Sequence, residues 1–91
     1  MQMQKYDVKL SERFKKEFRK LDKYTQKIIR AWINKNLVGC TEPRQHGKGL
    51  TSNRSGQWRY RIGDYRLICK INDNELIILA LSVGHRRDIY E

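Results

Sequence analysis

Two runs of alternating residues, 57–62 and 65–71, flank the dipeptide Gly63-Asp64. Alternation with a period of two is typical of β-strands, and a two-residue loop that begins with glycine is typical of a type II′ hairpin turn. The length of this loop fixes the register of the strands, because Ile62 must then lie opposite Tyr65. The sequence therefore predicts an antiparallel hairpin, and the rest of the chain must fold around it.

The predicted register gives the hairpin one apolar face and one basic face. Every second residue belongs to the apolar face, which comprises Trp58, Tyr60, Ile62, Tyr65, Leu67, Cys69 and Ile71. The opposite face comprises Arg59, Arg61, Arg66, Ile68 and Lys70. Arg61 and Arg66 become direct cross-strand neighbours, and such like-charge pairs destabilise a sheet by up to roughly 1 kcal/mol. These arginines either splay into solvent or bind an anion, and we favour an anion site that accepts a phosphate.

The remaining elements follow from apolar spacing and capping residues. Residues 4–9 alternate as a short strand, and Ser11 is a candidate N-cap of a first helix with the apolar stripe Leu10, Phe14, Phe18 and Leu21. Asp22 can cap a second helix over 23–38, whose expected apolar face comprises Tyr24, Ile28, Ile29, Trp32, Ile33 and Leu37. The last strand, 76–83, is apolar on both faces, which is typical of a central strand.

The charge balance indicates a polyanionic partner. The chain has 91 residues with 20 Lys and Arg against 10 Asp and Glu, a formal net charge of +10. Half of this excess lies within residues 11–30, which hold eight basic and three acidic side chains. A solvated helix exterior explains much of that half, but so large a total favours nucleic acid or an acidic protein as partner. The length predicts one domain over residues 1–91.

Several classes of protein and site are disfavoured by the sequence. No apolar run approaches the roughly 20 residues of a membrane span, and the N-terminal residues do not resemble a signal peptide, so we expect a cytoplasmic protein. Cys40 and Cys69 are then expected to be free thiols, and the spacing of cysteine and histidine does not fit a zinc site. The loop 40–56 has a basic tip, His46-Gly47-Lys48-Gly49, that lacks the strand–helix context of a phosphate-binding loop for nucleotides.

The segment after the last strand carries the most specific motif of the chain. Ser82-Val83-Gly84-His85-Arg86-Arg87-Asp88-Ile89-Tyr90, together with Gly63-Asp64-Tyr65-Arg66-Leu67-Ile68 and the order of elements, resembles the RelE/ParE superfamily of bacterial and archaeal toxins. The resemblance covers nearly the whole chain. It implies a small α+β, RelE-like fold in which an N-terminal helical hairpin packs on one face of a mostly antiparallel, four-stranded sheet.

The resemblance also implies a reaction and a set of residues. RelE-like members of the superfamily cut mRNA in the ribosomal A site without a metal or another cofactor, by attack of the 2′-hydroxyl on the adjacent phosphate. The catalytic candidates are Arg61, Arg66, His85, Arg86 and Tyr90, and the RNA-binding candidates are Arg59, Lys48, His46 and Lys70. Arginine barely deprotonates, so it suits transition-state charge, and proton transfer is left to Tyr90 or His85.

The resemblance leaves two functions open. The first is a toxin of a type II toxin–antitoxin module that acts as a ribosome-dependent mRNA endonuclease and so inhibits translation. The alternative is a ParE-like inhibitor of DNA gyrase without nuclease activity. For the first function the expected partners are mRNA, the ribosome with its ribosomal RNA, and a cognate antitoxin, with neither a membrane nor a metal ion.

Overall fold

A computed structural model describes residues 4–50 and 56–88 of the chain. The elements in chain order are β1 (Asp7–Leu10), α1 (Glu12–Arg19), α2 (Lys23–Asn36), a 3-10 turn (Pro43–Gln45), β2 (Lys48–Gly49), β3 (Gln57–Ile62), β4 (Tyr65–Asn72) and β5 (Ile77–His85). The strands form one sheet in the order β1-β5-β4-β3-β2. β1 runs parallel to β5 and the other pairs are antiparallel, so the predicted α+β class with a mostly antiparallel sheet is confirmed.

The strand count differs from the prediction, because the sheet has five strands rather than four. The additional strand, β2, lies within the segment that was expected to be a loop, and it pairs with the outer edge of β3. Two residues are too few for a period-two pattern to be visible in the sequence. The first strand also begins later than predicted, at Asp7.

The helical hairpin forms where its capping residues indicated. The Ser11 hydroxyl accepts the amide of Phe14 at 3.0 Å, and a carboxylate oxygen of Asp22 accepts the amide of Thr25 at 3.1 Å. Both side chains thereby satisfy backbone donors that the first turn of a helix leaves without intrahelical partners. None of the described helices is long and apolar enough to cross a membrane.

The helices pack on one face of the sheet and enclose the core. The core comprises Tyr6, Phe14, Ile29, Ile33, Leu37, Tyr60, Ile62, Leu67, Cys69, Ile78, Ala80 and Val83. The predicted face of α2 was wrong in part, since Tyr24 and Ile28 are exposed and Thr25 is buried in their place. The reason is geometric: Thr25, Ile29 and Ile33 follow one another at a spacing of four and form the stripe that meets the sheet. Leu10 of the predicted α1 stripe also lies exposed at the end of β1.

The predicted hairpin register is confirmed. Ile62 pairs with Tyr65 and Arg61 pairs with Arg66. Gly63 has a φ of +59°, whereas Asp64 does not have a positive φ, and this combination fits a type II′ turn rather than a type I′ turn. Alternate residues of both strands therefore point to the helices, and the arginine-bearing face points away from them.

Candidate nucleic-acid interface

The face of the sheet that points away from the helices carries five basic residues on three strands. On the hairpin, Arg61 lies opposite Arg66, and Lys70 lies opposite Gln57. Arg59 lies between these two rows on β3. β2 adds Lys48, whose partner across the strand pair is Arg59. Directly opposed residues share a face of the sheet. We call the set Lys48, Arg59, Arg61, Arg66 and Lys70 the basic face.

Electrostatic repulsion is concentrated at Arg59. Only 8% of its surface is exposed, although the residue carries a guanidinium group. Burial lowers the pKa of Arg59, and the nearby charges of Arg66 and Arg61 lower it further. Burial and like charges both disfavour the protonated form, but a guanidinium remains charged at neutral pH. An anion held among these three groups would relieve the repulsion.

An apolar pair lies within the basic face. Leu50 and Ile68 are both buried and form a small cluster of their own, separate from the main core. Leu50 follows β2, and its amide donates to the Gln57 carbonyl at 3.0 Å. Leu50 was not among the predicted site residues, because β2, the strand that it follows, was not predicted. The alternation of Lys48 and Leu50 is the one signal that places both on the same face.

His46 is held on the helix side of the sheet. Its imidazole packs edge-on against Trp32 of α2, with ring centroids 5.9 Å apart. Its backbone carbonyl accepts a hydrogen bond of 2.6 Å from the Trp58 indole. Lys48, two residues further along, lies on the basic face opposite Arg59. The two RNA-binding candidates of the loop tip, His46 and Lys48, therefore lie on opposite sides of the sheet. The structure does not bring His46 together with the arginines.

His85 also lies on the helix side. It pairs with Tyr65, and the two rings are 5.4 Å apart, whereas Arg66 pairs with Gly84. The Nδ1 atom of His85 accepts the backbone amide of Arg87 at 3.2 Å, so Nε2 is the protonated nitrogen of the neutral ring. The sheet therefore separates the imidazole from the guanidinium of Arg66, although both residues lie at the same end of the hairpin.

Arg86 follows β5 directly and is exposed. Its backbone amide donates to the Asp64 carbonyl at 2.8 Å. This bond fixes the Arg86 backbone beside the turn that joins the strands of Arg61 and Arg66. Tyr90, the remaining catalytic candidate, lies outside the described residues. Within residues 4–50 and 56–88, His, Cys, Asp and Glu side chains do not gather in groups of three or more that could hold a metal ion.

Comparisons with known proteins agree on one family. The model of the family described as ParE toxin of type II toxin–antitoxin system, parDE, matches residues 8–90. Toxin RelG of Mycobacterium tuberculosis is 41% identical over 49 residues, which span 54% of this chain and 56% of that protein. The chain thus aligns with little more than half of this curated relative.

Solved structures share the fold. The toxin–antitoxin complex RelBE2 from Mycobacterium tuberculosis matches with a TM-score of 0.77 and 24% identity, over 90% of this chain and 99% of the other. The isolated E. coli RelE toxin matches with a TM-score of 0.70 and 23% identity, over 88% and 83% of the two chains. At these identities the likeness establishes the predicted RelE-like fold.

Proposed function

The chain belongs to the ParE toxin family of the RelE/ParE superfamily and is a toxin of a type II toxin–antitoxin system, and from this premise we propose that it is an endoribonuclease that cleaves mRNA in the ribosomal A site. The observation that carries the proposal is the basic face, above all the buried Arg59 beside Arg61 and Arg66. Guanidinium groups gathered on one face suit the phosphates of a nucleic acid, because each can donate two parallel hydrogen bonds to phosphate oxygens. We place the reaction in the cytoplasm, where mRNA is translated.

The proposed reaction is an intramolecular transesterification of the RNA. The 2′-oxygen forms a bond to the adjacent phosphorus while the bond from phosphorus to the 5′-oxygen breaks, and a 2′,3′-cyclic phosphate remains. One group takes the 2′-hydroxyl proton and another protonates the 5′-oxygen. Arg61, Arg66 and Arg86 stabilise the extra negative charge on the phosphorane, because preorganised cations act most strongly where charge develops. No metal or other cofactor enters this scheme.

Tyr90 and His85 are the proposed proton-transfer groups. The position of the His85 imidazole across the sheet from Arg66 favours Tyr90 for a role at the arginines. Tyr90→Phe is then expected to lower the cleavage rate more than His85→Gln does. Cleavage rates of the two variants, measured on a translated message in a reconstituted translation reaction, decide between them.

The phosphates that flank the scissile one are held in this proposal by Lys48, Arg59 and Lys70. His46 is a further candidate for RNA contact at the loop tip.

Primer extension after induction tests the endonuclease. We expect growth arrest and new 5′ ends within the translated region of a message, together with intact copies of the same message when its start codon is removed. Cuts that do not depend on translation would contradict the ribosome-dependent reaction. A toxic protein that yields no cuts in either message would refute the endonuclease altogether.

Inhibition of DNA gyrase is the second candidate, because the matching family model is that of ParE toxins. The purified protein would then block supercoiling of relaxed plasmid by gyrase and leave translated messages uncut. The two assays on one preparation separate the candidates.

We propose that a cognate antitoxin neutralises the chain, since the similar structures include toxin–antitoxin complexes. A groove of about 340 Å³ between β1 and the helices offers apolar residues such as Leu10, Phe14 and Val38, with Lys15 and Arg30 among its basic lining. Leu10 and Val38 are 43% and 49% exposed. This combination suits an acidic antitoxin segment that folds on binding and buries an apolar face.

Val38→Asp is expected to weaken the affinity of the toxin for the antitoxin at least tenfold, as measured by titration calorimetry. The melting temperature of the free toxin is expected to stay within a few degrees of the original.

A further inference from the structure

The outer edge of β5 is covered by two different elements. Its first half pairs with β1, and this pairing ends where Leu10 meets Ala80. Beyond that point α1 takes the place of β1 beside the strand. The Ser11 amide donates to the Ala80 carbonyl at 2.9 Å, and the Ser11 hydroxyl donates to the Leu81 carbonyl at 3.0 Å. The N-terminus of α1 is thereby attached to the middle of β5.

Glu17 continues this attachment six residues further along the chain. Its Oε1 atom accepts two hydrogen bonds from β5, one from the Ser82 hydroxyl at 2.7 Å and one from the Val83 amide at 3.1 Å. The side chain is only 30% exposed, and its Oε2 atom lies 3.4 Å from Arg13 Nε. A strand edge that lacks a neighbouring strand needs a partner for its free amides. Glu17 supplies that partner from a helix whose other side chains are mostly basic.

The two residues that Glu17 binds come directly after a β-bulge. Cys69 pairs with Ala80 but Ile68 pairs with Ser82, so Leu81 is one residue too many for the ladder. With an uninterrupted ladder, Ile68 would meet Leu81 and Arg66 would meet Val83. The bulge moves Val83 into the core and brings Gly84 beside Arg66. Bulges of this kind re-aim the side chains that follow them.

We infer that Glu17 is a positioning residue, whose carboxylate fixes the shifted register of β5 and thereby the placement of Arg86. On its other edge the strand end is held by its pairing with β4 up to His85, and the Arg86 amide is bonded to the Asp64 carbonyl. Without Glu17 the Val83 amide loses its partner, and the segment 82–85 is held from the β4 side alone. The inference rests on the proposed endonuclease, since the function of a fixed Arg86 is to stabilise charge on the scissile phosphate.

The arrangement of the hydrogen bonds suggests a conservative variant. Both bonds from β5 end on one carboxylate oxygen, and the amide oxygen of glutamine can accept the same two bonds. Glu17→Gln therefore keeps the attachment and gives up only the ion pair with the exposed Arg13. Glu17→Ala removes the attachment. Glu12→Ala on the same helix makes the same change of charge at an exposed position and is the matched control.

Steady-state cleavage by the full chain in a reconstituted translation reaction tests the inference. Glu17→Ala is expected to lower kcat roughly ten- to hundred-fold with KM within about two-fold, since small misplacements of a reacting group cost rate rather than binding. Glu17→Gln and Glu12→Ala are expected to keep kcat within about three-fold of the original. A core variant such as Ile29→Val, with a comparable loss of melting temperature, is expected to keep kcat as well, which separates positioning from stability.

Amide hydrogen exchange gives a second readout that does not require cleavage. We expect the Val83 amide to lose at least ten-fold of its protection in Glu17→Ala and to keep it in Glu17→Gln. Unchanged protection, or a kcat of Glu17→Ala equal to that of Glu12→Ala, would overturn the inference. If the original chain fails to cleave, the proposed function fails, and the exchange data still report whether Glu17 holds the strand.

Discussion

The environment of Arg59 differs from that of an ordinary surface arginine. Arginine is rarely buried, because desolvation of the guanidinium is costly. Here the side chain is 8% exposed and lies near Arg61 and Arg66, which lower its pKa in addition to burial. Because the fold already holds these charges together, the proposed RNA site needs little reorganisation on binding.

Arg66 is the residue whose loss is expected to affect catalysis most clearly. Arg66→Ala should lower kcat for message cleavage about 10²- to 10³-fold, which corresponds to roughly 2–4 kcal/mol of transition-state stabilisation. Lys70→Ala is the matched control, because Lys70 lies on the same strand and face but at the other end of the basic face. We expect this variant to weaken binding a few-fold with little change in kcat. Equal effects of the two substitutions in single-turnover cleavage would show that Arg66 only contributes charge.

Gly47 determines how closely the loop approaches β3. Its φ is +83°, and a Cβ atom there would collide with the Arg59 carbonyl and lie 2.7 Å from the Trp58 indole nitrogen. Gly47→Ala should therefore lower the free energy of unfolding by about 2–4 kcal/mol, more than the roughly 1 kcal/mol expected from the left-handed conformation alone.

Gly39→Ala shows the conformational part of this effect alone, so the difference between the two variants gives the steric part. Gly39 also has a positive φ, +74°, but a Cβ atom there would meet nothing within 4 Å. Urea denaturation of both variants gives the comparison. Equal losses of stability would contradict a tight contact between the loop and β3.

At the scale of elements, a hydrogen-bonded network fastens the segment between α2 and β2. Arg44 binds Asp73 through two hydrogen bonds of 3.0 and 2.9 Å, and the Tyr6 hydroxyl donates to the same carboxylate at 2.6 Å. The Tyr60 hydroxyl donates to the Pro43 carbonyl at 2.5 Å. The network joins β1, the β4–β5 turn and the segment that leads to Lys48.

The contribution of this network to the stability of the fold depends on pH. The hydrogen bonds from Arg44 and then Tyr6 lower the pKa of Asp73, so its contribution is present above the ordinary aspartate value near 4 and is lost as the pH falls below it. The bond to Asp73 raises the pKa of Tyr6, so this part is present below about pH 10 and is lost above it. Asp73→Asn should cost less than about 1 kcal/mol at pH 7, because the pair is half exposed.

Thermal unfolding at several pH values checks this prediction. The difference in melting temperature between the original chain and Asp73→Asn should be present at pH 7 and absent near pH 2. Asp7→Asn, at an exposed position of β1, is the control for a general effect of charge. A difference that persists in acid would mean that the carboxylate charge is not what holds the network.

The elements differ in how far the sequence could predict them. The hairpin register followed from the two-residue loop at Gly63-Asp64, and both helix starts followed from Ser11 and Asp22, because each of these signals is local. The side of the sheet that carries His85 was not predictable, since β5 is apolar on both faces and its bulge leaves no trace in the pattern. β2 was missed for a similar reason, because its two residues are placed by contacts with Trp58 and Arg59.

At the scale of the whole molecule, the net charge of +10 has two parts with different expected effects. The basic face contacts phosphates in the proposed complex, whereas the exposed lysines of α1 and α2 only attract the polyanion from a distance. Lys48→Gln with Lys70→Gln should reduce the salt dependence of RNA binding, by about 0.7 in the log–log slope for each lost phosphate contact.

The matched control removes the same charge from the helices. Lys16→Gln with Lys27→Gln should leave the slope of equilibrium binding nearly unchanged and lower mainly the association rate at low salt. Both slopes can be measured by fluorescence anisotropy with a single-stranded RNA oligonucleotide. Equal slopes for the two double variants would mean that net charge alone governs binding.

The parallel pairing of β1 with β5 has a consequence for synthesis of the chain. β5 follows every other described element, yet it lies inside the sheet, between β1 and β4. The contacts that close the structure join residues as far as 70 positions apart, such as Ser11 and Leu81. Such long-range pairing forms late and slowly. A nascent chain that has not yet released β5 cannot complete the sheet, so the proposed arginine site is unfinished while the ribosome is still translating these strands.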